Sequence, residues 1–144
     1  MFYVLSGIPG SGKSHEARRL AATGALVVSA DNHPGLYDAQ GGFHVELLSA
    51  AHRACFRQAV EGVQAGLVVV VDNTNLSAID AAPYVALGRA FDREVEIVRV
   101  ECDQAVAFAR QTHGVPEVTH RRMAEAFAAF AAPPSWEVVV RTVR

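Results

Sequence analysis

The sequence predicts an α/β fold: a parallel sheet of about five strands, helices on both faces and a small lid. Three observations predict it. Short unbroken aliphatic runs, the longest being Leu67–Val71, have the length and composition of strands buried on both faces. Between them lie stretches whose apolar residues recur at helical spacing. Strands and helices then alternate along the whole chain, which right-handed crossovers turn into a parallel sheet. The 144 residues suffice for one domain and show no repeat, low-complexity tract or linker, so residues 1–144 are expected to form a single domain.

Phe2–Ser6 reads as the first strand. Gly7–Gly12 is rich in Gly and Pro, and Lys13–Ala22 reads as a helix stopped near Gly24. Ala25–Ser29 is a second strand that runs into Asp31. Asn32–Phe43, with Pro34, Gly35, Gly41 and Gly42, is the one long irregular stretch. From His44 to about Ala65, Leu47, Leu48, Ala51, Cys55, Ala59 and Val63 keep helical spacing. Leu67–Val71 is the third strand, followed at once by Asp72-Asn73-Thr74-Asn75. Ser77–Phe91 reads as a helix with Ser77 as cap and Asp80 at the capping-box position, bent or divided at Pro83. Glu94–Val100 is a fourth strand, Asp103–Arg110 a short helix and Gln111–Val115 a loop. Pro116 opens a helix that reaches about Ala131, and Trp136–Val143 is the last strand.

Composition narrows the function classes. Apolar residues are 51% of the chain and charged residues 19%, which excludes intrinsic disorder. No apolar run approaches the ~20 residues of a membrane span. The N-terminus lacks the basic flank of a signal peptide, and two cysteines make no disulfide scaffold, so a reduced cytoplasm is the expected location, a host's if the gene is a phage's. A net charge of −2 leaves only local contact with nucleic acid. Of the thirteen basic residues twelve are Arg, and the single Lys is Lys13.

The neighbours of Lys13 explain its identity. Gly7-Ile8-Pro9-Gly10-Ser11-Gly12-Lys13-Ser14 fits G-x-x-x-x-G-K-[ST], the P-loop, with the required strand before it and helix after it. Its glycines let backbone N–H groups converge on a phosphate, and the helix N-terminus adds a positive dipole end. Lys13 suits the β- and γ-phosphates of ATP, and the Ser14 hydroxyl suits Mg²⁺. Ligands of such sheets sit at the carboxyl ends of the strands, where three polar clusters fall. Asp31, past the second strand, can take the proton of an attacking hydroxyl; it can also be a turn cap. Asp72, ending the third strand, suits the Mg²⁺ shell, and Thr74 and Asn75 suit substrate; the same four residues are also good turn formers. Arg110 and His113 lie on a segment able to close on ATP as a lid, with Arg110 against the transferring group; a solvated helix end is the plainer alternative. Arg121 and Arg122 read as an exposed helix face, and Trp136 as core rather than adenine neighbour.

These residues together resemble the P-loop kinases related to polynucleotide 5′-hydroxyl kinase, above all the kinase module of Nedd4-binding proteins and its small bacterial and phage relatives. Beside the P-loop, the resemblance is carried by Ser29-Ala30-Asp31, Ala51-His52, Asp72-Asn73-Thr74-Asn75-Leu76, Arg110 to Pro116, Arg122-Met123 and Pro133-Pro134. It implies ATP- and Mg²⁺-dependent transfer of the γ-phosphoryl group to a hydroxyl, with Asp31 as general base, Lys13 and Ser14 on phosphate and metal, and Arg110 as the lid arginine. The chain departs from phage end-healing kinases at Asn32 and Pro34, where they carry an acid and an Arg, and at Gln111, where the lid Asn is usual. The expected acceptor is a nucleic acid, either a 5′-OH end or a hydroxymethylated DNA base. A small-molecule kinase of the same fold and a nucleotide-binding module without transfer are the alternatives, and the sequence leaves the oligomeric state open.

Overall fold

Period-two alternation points the side chains of each strand to the two faces of the sheet in turn. The computed structural model describes all 144 residues. Its strands β1 (Phe2–Ser6), β2 (Leu26–Val28), β3 (Val69–Val71), β4 (Val95–Val100) and β5 (Val139–Val143) form one sheet in the order β2-β3-β1-β4-β5. Every neighbouring pair is parallel. Five helices connect them: α1 (Lys13–Ala21), α2 (Leu48–Gln64), α3 (Ala78–Ala90), α4 (Gln104–Arg110) and α5 (Glu117–Ala129).

Phe2, Val4, Val69, Val71, Val95 and Ile97 point to one face and are covered by Ala51, Cys55, Ala59 and Val63 of α2 and by Ala81, Tyr84 and Val85 of α3. Leu5, Val70, Val98 and Val100 point to the other face, under Ala17 and Leu20 of α1. Burying each such Val or Leu contributes about 1.5–3 kcal/mol. On the α1 face, Glu16 receives hydrogen bonds from Arg19 (2.9 and 2.6 Å) and Arg141 (3.0 Å), and Arg141 also bonds Glu96, which ties α1 to the edge strand β5. No helix is long and apolar enough to cross a membrane.

Element boundaries shift where side chains or helix ends compete. Leu67 is not in β3: its N–H bonds the Gly62 carbonyl, so it belongs to the end of α2. Ser29 leaves β2 because its hydroxyl accepts from Asp31 N–H (3.3 Å), turning residues 30–32 into a 3₁₀ turn. His44 lies before α2, held by Asp38 and Glu46 at 3.1 Å each. Pro83 sits inside α3 without ending it. The carbonyl it frees is that of Ile79, a residue 85% exposed, so the unpaired group is not buried in the core. Ser77 caps α3 as expected, accepting from Asp80 N–H at 3.2 Å. The last strand starts only at Val139, because Pro134–Trp136 forms a 3₁₀ turn.

Candidate active site

The site is built at the carboxyl ends of β1, β2 and β3. Gly7 N–H donates to the Thr74 carbonyl (3.0 Å), binding the root of the P-loop to the segment after β3. From below, Ser6 Oγ donates to the Asn75 carbonyl and Asn75 Nδ2 to the Leu5 carbonyl, both at 2.8 Å. Above the loop, Gly10 has φ +83°, and a Cβ there would lie 2.0 Å from the Ala107 carbonyl oxygen of α4. Only glycine permits that approach. Ser11 Oγ is the one buried side-chain polar atom with no hydrogen-bond partner, and it lies within the loop that the motif assigns to phosphate. An unpaired buried hydroxyl costs about 1–3 kcal/mol.

A cavity of about 480 Å³ opens over this loop. It brings together Pro9, Gly10, Gly12, Lys13 and Ser14 from the P-loop, Asp31, Asp72 and Thr74 from the strand ends, Arg110 from the end of α4 and His113 from the loop after it. Gly7, Ile8 and Ser11 lie beneath the loop, buried, and form its base. Asn75 is turned away, buried at φ +42° with its amide committed to Leu5. Trp136 packs on the main core, and Arg121 pairs with Glu117 on the exposed face of α5.

Burial lowers the Lys13 ammonium below its ordinary value, with Asp72 and then Asp31 acting against that shift. Burial raises Asp72, opposed by Lys13 and by Ser14, whose Oγ is 3.4 Å from Asp72 Oδ2. Each charge is thus under-solvated until a ligand of opposite sign joins it. Ser14 and Asp72 are hard oxygen donors at the mouth of a phosphate cradle. That donor set fits Mg²⁺, which takes one or two protein oxygens and completes its shell with waters and phosphates.

Asp31 does no capping, because Ser29 caps the turn, and its side chain is 51% exposed to the cavity. His113 Nε2 lies 3.8 Å from Asp31 Oδ2, and the His113 ring meets Tyr37 at 5.1 Å between centroids. The Tyr37 phenol is pushed up to about 12 by burial and by the Asp31 carboxylate beside it. His113 therefore faces the carboxylate and Tyr37 as well as the nucleotide cavity. The loop that carries it is closed by Gln111, whose side chain donates to the Val115 carbonyl (2.6 Å) and accepts from Val115 N–H (2.9 Å).

Sequence reasoning passed over three residues of this site. Tyr37 sits on the irregular stretch. Asn73 bridges two strand ends: its Oδ1 accepts from Ala30 N–H (2.9 Å) and its Nδ2 reaches Cys55 Sγ and Tyr84 Oη (3.5 Å each). His120 is fully buried, with Nε2 2.8 Å from the Pro9 carbonyl. Its position was readable, since His120, Met123, Ala124 and Phe127 fall at i, i+3, i+4 and i+7, one inward face of α5.

A strand, a P-loop and a helix at the carboxyl edge of a five-stranded parallel sheet, with carboxylates from two neighbouring strand ends around one half-buried lysine, define a nucleotide-binding protein of the P-loop kinase fold. More particularly, the chain belongs to the AAA domain family, whose model matches residues 3–133. It is 31% identical over 140 residues to human NEDD4-binding protein 2; the match takes in 91% of this chain and 8% of that protein's length. Among solved structures, a chain of the Pnkp1/Rnl/Hen1 RNA repair complex superposes with a TM-score of 0.74 at 15% identity, covering 88% of this chain and 43% of that one. A gluconokinase from Sinorhizobium meliloti superposes at 0.62 and 18% identity, covering 98% and 80%.

Proposed function

We propose that the protein is an ATP- and Mg²⁺-dependent kinase that phosphorylates a hydroxyl of a nucleic acid, at a 5′ end or on a hydroxymethylated base. The observation that carries this reading is Asp31: a carboxylate excused from capping, exposed to the same cavity as Lys13 and Ser14. The P-loop amides and Lys13 bind the triphosphate and hold the γ-phosphorus in line with the acceptor. Asp31 accepts the proton of the hydroxyl as its oxygen bonds to the γ-phosphorus. The bond from the γ-phosphorus to the β–γ bridging oxygen breaks, and ADP leaves. Arg110, from the lid, meets the charge on the transferring group. Ser14 and Asp72 would hold Mg²⁺, which would supply charge neutralisation to the bound triphosphate.

Incubation with γ-labelled ATP and 5′-OH or hydroxymethylated oligonucleotides tests the proposal. Label is expected in an oligonucleotide. Label found only in a pool of sugars, nucleosides or other small alcohols, or in no acceptor at all, overturns it.

A further inference from the structure

α2 carries a stripe that the nucleotide cavity does not use. Ser49, His52, Arg53, Phe56 and Arg57 recur at i, i+3, i+4, i+7 and i+8, the spacing of one helix face. They wall a second cavity, about 610 Å³, between α2 and the start of α3. Asp80 and Tyr84 stand on the opposite wall, and the rings of Phe56 and Tyr84 lie 5.5 Å apart. Asn73 and Thr74 line this cavity and the nucleotide cavity alike, so the two share a wall at Thr74. α2 also packs against the 30–32 turn that carries Asp31.

The charge on this stripe is unbalanced. Arg53 and Arg57 are exposed and make no ion pair or hydrogen bond, a state shared with Arg18 and Arg110 at the nucleotide cavity and with Arg122 on α5, whereas Arg19, Arg89, Arg121, Arg141 and Arg144 each have a carboxylate partner. Like charges one helical turn apart repel each other, which an anion between them relieves. An aromatic side chain flanked by unpaired guanidiniums is the combination that holds single-stranded nucleic acid: bases stack on the ring and phosphates meet the cations. From Ser49 to Arg57 the stripe runs about 12 Å at the α-helical rise. A stacked strand advances 3.4 Å per nucleotide, so the stripe has room for about three. That length exceeds the needs of one small alcohol. Asp80 places a carboxylate across the groove from the two arginines.

We infer that this groove seats the acceptor as a single strand, its phosphates on Arg53 and Arg57, a base on Phe56, and its terminal hydroxyl led past Thr74 to Asp31. The inference rests on the phosphotransfer reading and names the acceptor side of that same site. It also explains how a chain of net charge −2 grips a polyanion: the contact is local, on one helix face.

The test is fluorescence anisotropy of a short labelled single-stranded 5′-OH oligonucleotide, in the presence of ADP and over a salt series. The Arg53→Ala/Arg57→Ala double variant is expected to bind about 10-fold more weakly or worse. The slope of log affinity on log salt is expected to shrink by about 1.4, since each lost phosphate contact removes about 0.7. Arg53→Lys/Arg57→Lys is expected to restore most of the slope, and an unchanged Tm shows that the variants fold. Oligonucleotide affinity and salt slope equal to wild type in the double alanine variant overturn the groove, even if wild type transfers phosphate. Absence of transfer by wild type overturns the kinase reading, while the anisotropy result still decides whether the groove holds a strand.

Discussion

His120 Nε2 stands 2.8 Å from the carbonyl oxygen of Pro9, joining α5 to the middle of the P-loop across 111 residues of sequence. Its other ring nitrogen, Nδ1, takes a hydrogen bond from Gln104 Nε2 at 3.0 Å, which assigns the N–H to Nε2 and makes Pro9 the acceptor. Phe108 meets the ring edge-on at 5.5 Å. Helices α4 and α5 are therefore anchored to the P-loop through His120.

Replacing His120 with Ala leaves a buried void and strips the Pro9 carbonyl of its donor. The expected cost is about 2–4 kcal/mol, a Tm lower by roughly 5–15 °C. ATP affinity is expected to fall as well, because the loop loses its anchor. Thermal unfolding with and without ATP measures both; a variant that unfolds at the wild-type temperature and binds ATP as wild type does refutes the anchor.

On the proposed mechanism Asp31 supplies the base and Asn73 positions the turn that carries it. Asp31→Asn keeps the shape and removes the base, so transfer is expected to drop ~10²–10⁴-fold with ATP affinity near normal. Asn73→Ala frees Ala30 N–H and lets the 30–32 turn drift. Misplacing a catalytic group by about 1 Å costs up to ~10²-fold, so kcat is expected to fall at least ~10-fold while ATP affinity holds. Single-turnover rates with equilibrium ATP binding separate the two effects. Full transfer in Asp31→Asn removes Asp31 from the reaction.

The parts legible in the sequence are those whose signal is local. The P-loop is contiguous, and the spacing of Ala51, Cys55, Ala59 and Val63 marks α2 without reference to anything else. What stayed hidden depends on distant partners. Tyr37 reaches Asp31 because the Asp38 carboxylate draws Gly42 and Gln40 N–H groups onto itself (2.7 and 3.0 Å) and folds the irregular stretch back, a bond pattern with no periodicity. Asn75 belongs to a turn-forming tetrad, and its spacing does not reveal that its amide faces the Leu5 carbonyl. Arg53 and Arg57 look like an ordinary solvated face until α3 is placed opposite them. Leu67 has strand composition, but the end of α2 claims its N–H first.

Glu16 gives the fold a pH signature. The Arg19 guanidinium, with Arg141 behind it, holds the Glu16 carboxyl at about 2 against an ordinary 4.5, although burial pushes the other way. A carboxyl lowered on folding contributes stability that is complete above the unfolded value and lost as the pH falls through the folded one. The window is therefore about pH 4.5 down to about 2. Arg19 and Arg141 are partly in water, with side chains 54% and 37% exposed, so the expected cost of Glu16→Gln at pH 7 is only about 1–2 kcal/mol. Urea unfolding over a pH series is expected to show wild type and variant separated at neutral pH and converging near pH 2. A constant separation across that range refutes the assignment.

Two glycines with the same backbone sign separate strain from contact. Gly10 and Gly24 have φ +83° and +96°, but a Cβ at Gly10 lies 2.0 Å from the Ala107 carbonyl oxygen, and a Cβ at Gly24 meets nothing within 4 Å. Gly24→Ala is therefore expected to cost only the left-handed backbone penalty, about 1–2 kcal/mol, with ATP binding intact. Gly10→Ala carries that penalty and must also drive α4 off the P-loop or bend the loop away from its phosphate-binding shape. Its expected result is a larger loss of stability and at least ~10-fold weaker ATP binding. Calorimetric ATP titration of both variants makes the comparison. If Gly10→Ala binds ATP as well as Gly24→Ala does, the close seat of α4 on the loop is not what shapes the phosphate site.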